Sequence, residues 1–99
     1  MQQFHSMQAF VDYRDNGHVE FTSYDSLVVR LNHWGPKGYT ATLFPRWQYS
    51  PTTIKQVKRF LKEEIGFDLA VSDLRRMKKE GGAKLGAWNL EFSNEYPHG

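Results

Sequence analysis

The chain has no cysteine among its 99 residues. Without thiols it cannot form disulfides, thiolate zinc sites, iron–sulfur clusters or a cysteine nucleophile. It also lacks long hydrophobic runs: none approaches the roughly 20 apolar residues that a bilayer-spanning helix needs. The N-terminus has neither a basic start nor an apolar stretch, so we expect no signal peptide. These absences predict a cytoplasmic location and no membrane partner.

Aromatic side chains offset a slightly low hydrophobic content. Hydrophobic residues make up 39% of the chain, whereas aromatic residues make up 15%, which is high. Because Phe, Tyr and Trp bury large areas from few positions, this composition is typical of a globular chain. A chain of this length builds one core. We therefore predict a single domain over residues 1–99, with residues 1–6 and 94–99 frayed.

The formal net charge is only +2, but it is unevenly distributed. Residues 1–54 carry equal numbers of basic and acidic side chains. Residues 55–84 carry nine basic and five acidic side chains, a net of +4, and residues 85–99 carry two acidic ones. A local basic excess favours an acidic protein or a polyanion as a partner.

The N-terminal half alternates apolar and polar residues in the manner of half-buried strands. Residues 7–13 alternate, and Asn16-Gly17 follows as a hairpin dipeptide, because both residue types tolerate positive φ. An antiparallel meander of three or four strands is therefore predicted here. Its further strands are predicted at His18 to Thr22, Leu27 to Leu31 and Tyr39 to Phe44.

The strongest local pattern predicts a helix that begins at Ser50-Pro51 and ends at Gly66. Serine is a good N-cap, proline suits the first helical position, and glycine adopts the left-handed conformation that ends a helix. One stripe of this helix is apolar, and an adjoining stripe is basic. The apolar stripe consists of Ile54, Val57, Leu61 and Ile65.

A second, shorter helix is predicted from a cap at Ser72 to the Gly81-Gly82 stop, and residues 85–92 predict a last strand. The predicted fold class is therefore α+β. We expect an antiparallel sheet of four to five strands packed against one main amphipathic helix, with a second short helix. The predicted core consists of Val11, Val19, Phe21, Leu27, Val29, Leu31, Leu43, Ile54, Val57, Leu61, Ile65, Leu74, Met77, Leu90 and Phe92.

Residues that commonly carry chemistry show no catalytic or metal-binding spacing. The carboxylates around the first hairpin and the Glu63-Glu64 pair are expected to be surface groups. The glycine-rich segment 81–86 follows a helix and enters a strand, which is the wrong order for dinucleotide binding. We therefore expect no catalytic residue, no cofactor and no enzymatic activity. The histidines are expected to be exposed in turns or termini and to bind no metal: His5, His18, His33 and His98.

The basic side chains of the helical region have two interpretations. They form either an ordinary solvated face or a patch that binds phosphates or an acidic protein. Tryptophans near turns and strand ends favour the second interpretation modestly, because they can stack or anchor. The candidate binding surface consists of Lys55, Lys58, Arg59, Lys62, Arg75, Arg76, Lys78, Lys79, Lys84, Trp34, Trp47 and Trp88.

Two stretches carry a resemblance to a known family. Residues 21–29 place Ser-Tyr before a strand, and residues 47–61 place Tyr-Ser-Pro-Thr-Thr at the start of a helix that continues to Phe-Leu. This pattern resembles a family of small uncharacterised proteins encoded by phages and prophages of Gram-positive bacteria. The pattern also has a physical interpretation, in which Tyr24 and Tyr49 flank the junction between sheet and helix. A structural role is favoured for them over a ligand-binding role.

The resemblance implies a phage-type accessory protein in the cytoplasm of a bacterial host. Such a protein acts without catalysis by binding a host protein or nucleoprotein complex, and inhibitors of CRISPR defence are one example. The alternative is a small nucleic-acid-binding protein that uses its basic helical faces. A homodimer formed through an uncovered sheet edge also remains open.

Overall fold

Seven strands form one mixed sheet in the computed structural model, which describes residues 2–4, 8–15, 17–35 and 38–97. The predicted α+β class is confirmed, but the predicted count of four to five strands is wrong. The strands are β1 (Gln2–Gln3), β2 (Ala9–Tyr13), β3 (His18–Ser23), β4 (Ser26–Gly35), β5 (Gly38–Leu43), β6 (Ala83–Leu85) and β7 (Trp88–Phe92). Their order in the sheet is β1-β2-β3-β4-β5-β7-β6.

Two helices, a short 3-10 turn and strand β6 lie between β5 and β7 along the chain. The turn is Pro45–Gln48, α1 is Pro51–Ile65 and α2 is Val71–Lys79. Because this connection crosses back over the sheet, β7 runs parallel to β5, whereas the other strand pairs are antiparallel. The predicted last strand is in fact a hairpin of β6 and β7. In the described part of the chain, neither helix is long and apolar enough to cross a membrane.

One face of the sheet forms the core, as the alternating pattern predicted. A row of paired residues runs across five strands: Val11, Phe21, Val29, Leu43 and Phe92. The register shifts between β3 and β4 after Phe21, which leaves an extra residue opposite it. This β-bulge lets both Val28 and Val29 be fully buried.

Helix α1 has the predicted ends and packs against this face. Ser50 Oγ accepts a hydrogen bond from the Thr53 N–H at 3.2 Å, and Gly66 ends the helix at φ 78°. The Phe60 ring stacks on the Phe21 ring with 4.7 Å between centroids. Aromatic packing of this kind adds roughly 0.5–1.5 kcal/mol beyond the buried area.

The start of the chain differs from the prediction that residues 1–6 fray. Residues 2–3 form edge strand β1, and Phe4 is 8% exposed with its ring edge against both Phe21 and Phe60. Residues 94–97 have no regular secondary structure. Residues 1, 5–6 and 98–99 of the predicted frayed ends lie outside the described residues. Among the predicted core residues, Ile65 and Phe92 pack at the margin, and Leu27 is buried apart from the main core.

The N-cap of α2 lies two residues before Ser72, the predicted cap. Ala70 takes the cap position, and its N–H donates to Asp73 Oδ2 at 3.0 Å, so an acidic side chain replaces the expected serine hydroxyl. Leu74 and Met77 are buried as predicted. The Gly82 N–H donates to the Met77 carbonyl at 2.8 Å and closes the end of the helix.

Gly82 and its neighbour Gly81 offer a matched test of this connection. A Cβ at Gly82, where φ is +124°, would lie 2.5 Å from the Leu90 carbonyl oxygen, whereas a Cβ at Gly81, where φ is +84°, meets nothing within 4 Å. We expect Gly81→Ala to lower the free energy of unfolding by about 1–2 kcal/mol, the cost of left-handed backbone. We expect Gly82→Ala to cost clearly more, because the β7 backbone must also move. Urea denaturation measures both, and equal losses would contradict this packing.

Candidate functional site

The outer side of α1 carries the predicted basic stripe. Lys55, Arg59 and Lys62 are exposed and Lys58 is half-buried. Their spacing of three and four residues places them on one stripe of the helix, opposite the residues that face the sheet. The buried residues are Thr53, Ile54, Gln56, Val57, Phe60 and Leu61. The predicted division of α1 into an inward apolar side and an outward basic side is therefore confirmed.

Helix α2 adds a second set of basic residues, and it lies in the same layer over the sheet as α1. Its buried residues belong to the same core cluster as those of α1, so both helices cover one face of the sheet. Their exposed sides therefore point away from the sheet. We call the basic residues of both helices the basic helical surface: Lys55, Lys58, Arg59, Lys62, Arg75, Arg76, Lys78 and Lys79. Lys84 is exposed on β6, at the sheet edge.

Ion pairs compensate only part of this surface. Arg59 Nε lies 2.8 Å from Glu63, Lys62 Nζ lies 3.8 Å from Asp68, and Arg76 pairs with Asp73 and Glu80 at 3.5 and 3.8 Å. Such exposed pairs contribute about 0–1 kcal/mol each. Neither Lys84 nor the remaining cations of this surface have a carboxylate within 4.0 Å among the described residues; those remaining cations are Lys55, Lys58, Arg75, Lys78 and Lys79.

The three candidate tryptophans have different environments. Trp47 is 1% exposed and its ring lies 5.8 Å from that of Phe92, so its assignment to a binding surface was wrong. The 3-10 turn after β5 directs this side chain into the core, which the sequence pattern did not indicate. Trp88 is half-buried and keeps an accessible part. The backbone of Trp34 lies in β4, but its side chain lies outside what the structure describes.

His33 joins Trp88 and Tyr39 in a cluster of three rings at one end of the sheet. The His33 ring lies 5.2 Å from Trp88 and 5.8 Å from Tyr39 between centroids. Its Nδ1 lies 3.0 Å from the Gly17 carbonyl oxygen. Because a carbonyl oxygen only accepts, Nδ1 carries the hydrogen.

The prediction of exposed loop histidines fails for the two histidines that the structure describes. His18 and His33 lie in strands and are half-buried. His5 and His98 lie outside the described residues. Over residues 2–4, 8–15, 17–35 and 38–97, no group of three or more His, Asp or Glu side chains is placed to hold a metal ion.

The face of the sheet away from the helices is polar and partly self-compensated. Glu20 accepts from Arg14 Nε and from Arg30 Nε, each at 3.0 Å. Arg14 also pairs with Asp12 at 3.1 Å, and the Arg30 guanidinium lies 5.4 Å from the centre of the Phe44 ring. One polar, solvated face is usual for a largely antiparallel sheet.

A buried polar cluster joins the end of β3 to the first turns of α1. Ser23 Oγ donates to Gln56 Oε1 at 2.7 Å, and it lies 3.5 Å from Thr53 Oγ1. Thr53 Oγ1 in turn lies 3.1 Å from the cap hydroxyl of Ser50. These contacts bring together the Ser-Tyr and Tyr-Ser-x-Thr-Thr stretches, so the sequence signal that could have located the cluster is the pair of motifs itself.

Tyr24 and Tyr49 flank this junction on the surface, as predicted, with 5.9 Å between ring centroids. The Arg46 guanidinium lies 5.9 Å from the ring centres of both Tyr49 and Tyr96. Beside them is a cavity of about 80 Å³, lined by Ser23, Tyr24, Ser26, Arg46 and Tyr49. We call Tyr24, Arg46, Tyr49 and Tyr96 the tyrosine–arginine patch. No sequence signal pointed to Arg46 or Tyr96, because their proximity depends on the tertiary fold.

Comparisons with known proteins return no relative of this chain. No family model, no curated protein and no solved structure matches it. A function for this chain is therefore inferred from the chemistry of the surfaces described above.

The buried polar cluster can be tested with two serines of the same hairpin. Ser23→Ala removes the donor to Gln56, and we expect it to lower the free energy of unfolding by about 1–3 kcal/mol, because a buried amide oxygen loses a partner. Ser26→Ala is the control, since Ser26 is half-buried at the cavity, and its expected effect is within about 0.5 kcal/mol. Urea denaturation that found the two variants equal would contradict a stabilising role for the cluster.

Tyr13 makes the stability of the fold depend on pH in the alkaline range. Its hydroxyl donates to Glu64 Oε2 at 3.0 Å. Burial raises the pKa of Tyr13 above 10.0, and the hydrogen bond and charge of Glu64 act in the same direction. Because the pKa of Tyr13 is higher in the folded state than in the unfolded state, the stabilising contribution of Tyr13 is complete below pH 10. It is lost as the pH rises through the folded-state pKa.

The expected result is a steeper loss of stability above pH 10 for the native protein than for Tyr13→Phe, which has no hydroxyl to ionise. Denaturation midpoints measured at intervals from neutral to alkaline pH make this comparison. Parallel profiles for the two proteins would contradict the coupling between Tyr13 and Glu64.

Proposed function

We propose that this chain is a non-catalytic phage-type accessory protein that binds a host protein or nucleoprotein complex in the cytoplasm of a bacterial host. The observation that carries the proposal is the basic helical surface, on which several cations lack a carboxylate partner among the described residues. The resemblance of residues 21–29 and 47–61 to phage and prophage proteins supports the same class. An inhibitor of CRISPR defence is one example of such an accessory protein.

The position of these cations supports recognition of an acidic partner. They project from two helices whose opposite sides are held in one core, so the charges are presented on a stable layer. Uncompensated surface charge attracts a partner of opposite sign over about a Debye length, roughly 8 Å at physiological salt. Nucleoproteins and acidic proteins both supply that charge.

Direct nucleic-acid binding by the same surface is the second candidate. It is favoured by Lys55 and Lys58 on α1 and Lys78 and Lys79 on α2, which have no carboxylate within 4.0 Å in the described part of the chain, because such lysines neutralise phosphates. Tyr39, which is exposed beside the half-buried Trp88, adds an aromatic ring on which a base can stack. This candidate requires an affinity that falls steeply with salt.

A homodimer through a sheet edge would have to use β1 or β6, the outermost strands of the sheet. These strands have two and three residues, so each offers few backbone groups to a second copy. Short edge strands are one way in which proteins limit edge-to-edge pairing.

The test compares a charge-reversed and a charge-retaining variant of one helix stripe. Lys55→Glu/Lys58→Glu/Lys62→Glu reverses three charges of the basic helical surface, and Lys55→Arg/Lys58→Arg/Lys62→Arg keeps them. Proteins and nucleic acids captured from a bacterial host extract are quantified for both variants and for the native chain, with and without nuclease. We expect the arginine variant to retain the native partner and the glutamate variant to lose at least about tenfold of it, the effect of about 1.4 kcal/mol.

Nuclease treatment separates the two candidates. A specific partner that survives nuclease supports protein recognition, whereas a partner lost after nuclease, with binding that weakens from about 50 to 200 mM salt, supports nucleic acid. Equal capture by the glutamate variant would contradict a role for the basic helical surface. Recovery of no specific partner by the native chain would contradict the proposed function itself.

A further inference from the structure

The tyrosine–arginine patch is a second surface, separate from the basic helical surface. All exposed large hydrophobic side chains of the described residues are tyrosines, and three of the five belong to this patch. Tyr24, Tyr49 and Tyr96 are 42%, 62% and 66% exposed. Tyrosine and arginine are the residue types, with tryptophan, that most often dominate the energetics of protein interfaces.

Arg46 has no carboxylate partner within 4.0 Å among the described residues. Its guanidinium is instead positioned by the rings of Tyr49 and Tyr96, each at 5.9 Å. Stacking on aromatic rings orients a guanidinium and leaves its fork of N–H donors available for a planar anion. Four of the other five arginines are paired with carboxylates, and Arg75 on α2 is the exception among the described residues: Arg14, Arg30, Arg59 and Arg76 are paired.

The cavity beside Arg46 has room for a small oxyanion. Its volume of about 80 Å³ exceeds the roughly 30 Å³ that one water molecule occupies in the liquid. Ser23 and Ser26 contribute hydroxyl-bearing side chains to its lining, together with the two tyrosines. Because Ser23 is held by Gln56 and α1, that side of the cavity is fixed by the core.

Tyr24 and Asp25 form the two-residue turn between the paired residues Ser23 and Ser26 of β3 and β4. Tyr24 and Asp25 have φ values of 49° and 64°, and they are the non-glycine residues with positive φ in the described part of the chain. Left-handed backbone costs an L-residue about 1–2 kcal/mol. Two-residue hairpin loops of this kind require positive φ at both central residues, and tyrosine is an uncommon residue there. The turn places the Tyr24 ring beside that of Tyr49, with 5.9 Å between centroids, before any partner binds.

We propose that the tyrosine–arginine patch docks an acidic segment of a partner protein, whose side-chain carboxylate enters the cavity and pairs with the Arg46 guanidinium. The tyrosine rings then pack against the residues that flank the acidic one. A carboxylate is favoured over a phosphate because Asp25, exposed in the same turn, repels a dianion more strongly than a monoanion. The patch does not include the basic helical surface, so this inference stands independently of the function proposed above.

The test is a titration of the isotopically labelled full chain followed by nuclear magnetic resonance. The probes are the peptide acetyl-Gly-Glu-Gly-amide, its glutamine counterpart acetyl-Gly-Gln-Gly-amide, and inorganic phosphate, all at one ionic strength. We expect the glutamate peptide to cause saturable shifts at the Arg46 Nε–H and at the amides of residues 23–26. The glutamine peptide is expected to cause none, because it lacks the charge that Arg46 pairs with.

Variants identify the groups responsible. Arg46→Gln should abolish the saturable shifts at residues 23–26, and Arg46→Lys should weaken binding because the ammonium cannot form the two-pronged contact. Tyr96→Ala, in a segment without regular secondary structure, should weaken it roughly two- to fivefold through loss of the cation–π contact. Lys55→Glu/Lys58→Glu/Lys62→Glu should bind the peptide as the native chain does, which separates this site from the basic helical surface.

Three results would overturn the proposal. They are equal shifts with the glutamine peptide, shifts that persist in Arg46→Gln, and saturation by inorganic phosphate at a lower concentration than by the glutamate peptide. The last of these would assign the cavity to phosphate groups instead. Thermal unfolding of each variant confirms that the fold is retained, since Arg46 and Tyr96 are exposed.

Discussion

The attachment of α1 to the sheet is the interaction on which the rest of the structure depends. Phe60 stacks on Phe21 at 4.7 Å, and Ser23 donates to Gln56 at 2.7 Å one turn earlier on the helix. The aromatic contact supplies buried area, whereas the buried hydrogen bond fixes the register, because sliding the helix would leave a polar group without its partner. Both surfaces with binding chemistry are positioned by this attachment.

The same helix adjoins both surfaces that are proposed for recognition. Its outer side presents Lys55 and Lys58, which have no carboxylate within 4.0 Å among the described residues, and such charges suit a diffuse attraction to an acidic surface. Its N-terminal end meets the β3–β4 turn, where Tyr24, Tyr49 and Arg46 form a small, shaped contact. Charge brings a partner near, whereas aromatic and arginine contacts in a defined cavity determine which partner remains bound.

Local signals in the sequence predicted the parts of the fold that depend on local physics. The ends of α1 were correct because Ser50, Pro51 and Gly66 each satisfy a requirement of the helix terminus itself. Strands β1 and β6 were missed because two or three residues carry no period, and their pairing is a long-range event. The parallel pairing of β7 likewise depends on the path of the crossover.

Of the candidate site, the basic stripe followed from helical spacing, whereas the inward turn of Trp47 and the meeting of Arg46 with Tyr96 required the tertiary fold.

The claim that the basic helical surface contacts a host partner is tested most directly by lysine reactivity. Acetylation of Lys55, Lys58, Lys78 and Lys79 is measured by mass spectrometry in buffer and in extract of a Gram-positive host. The account predicts that these lysines become protected in the extract. Equal reactivity in the two media would contradict it.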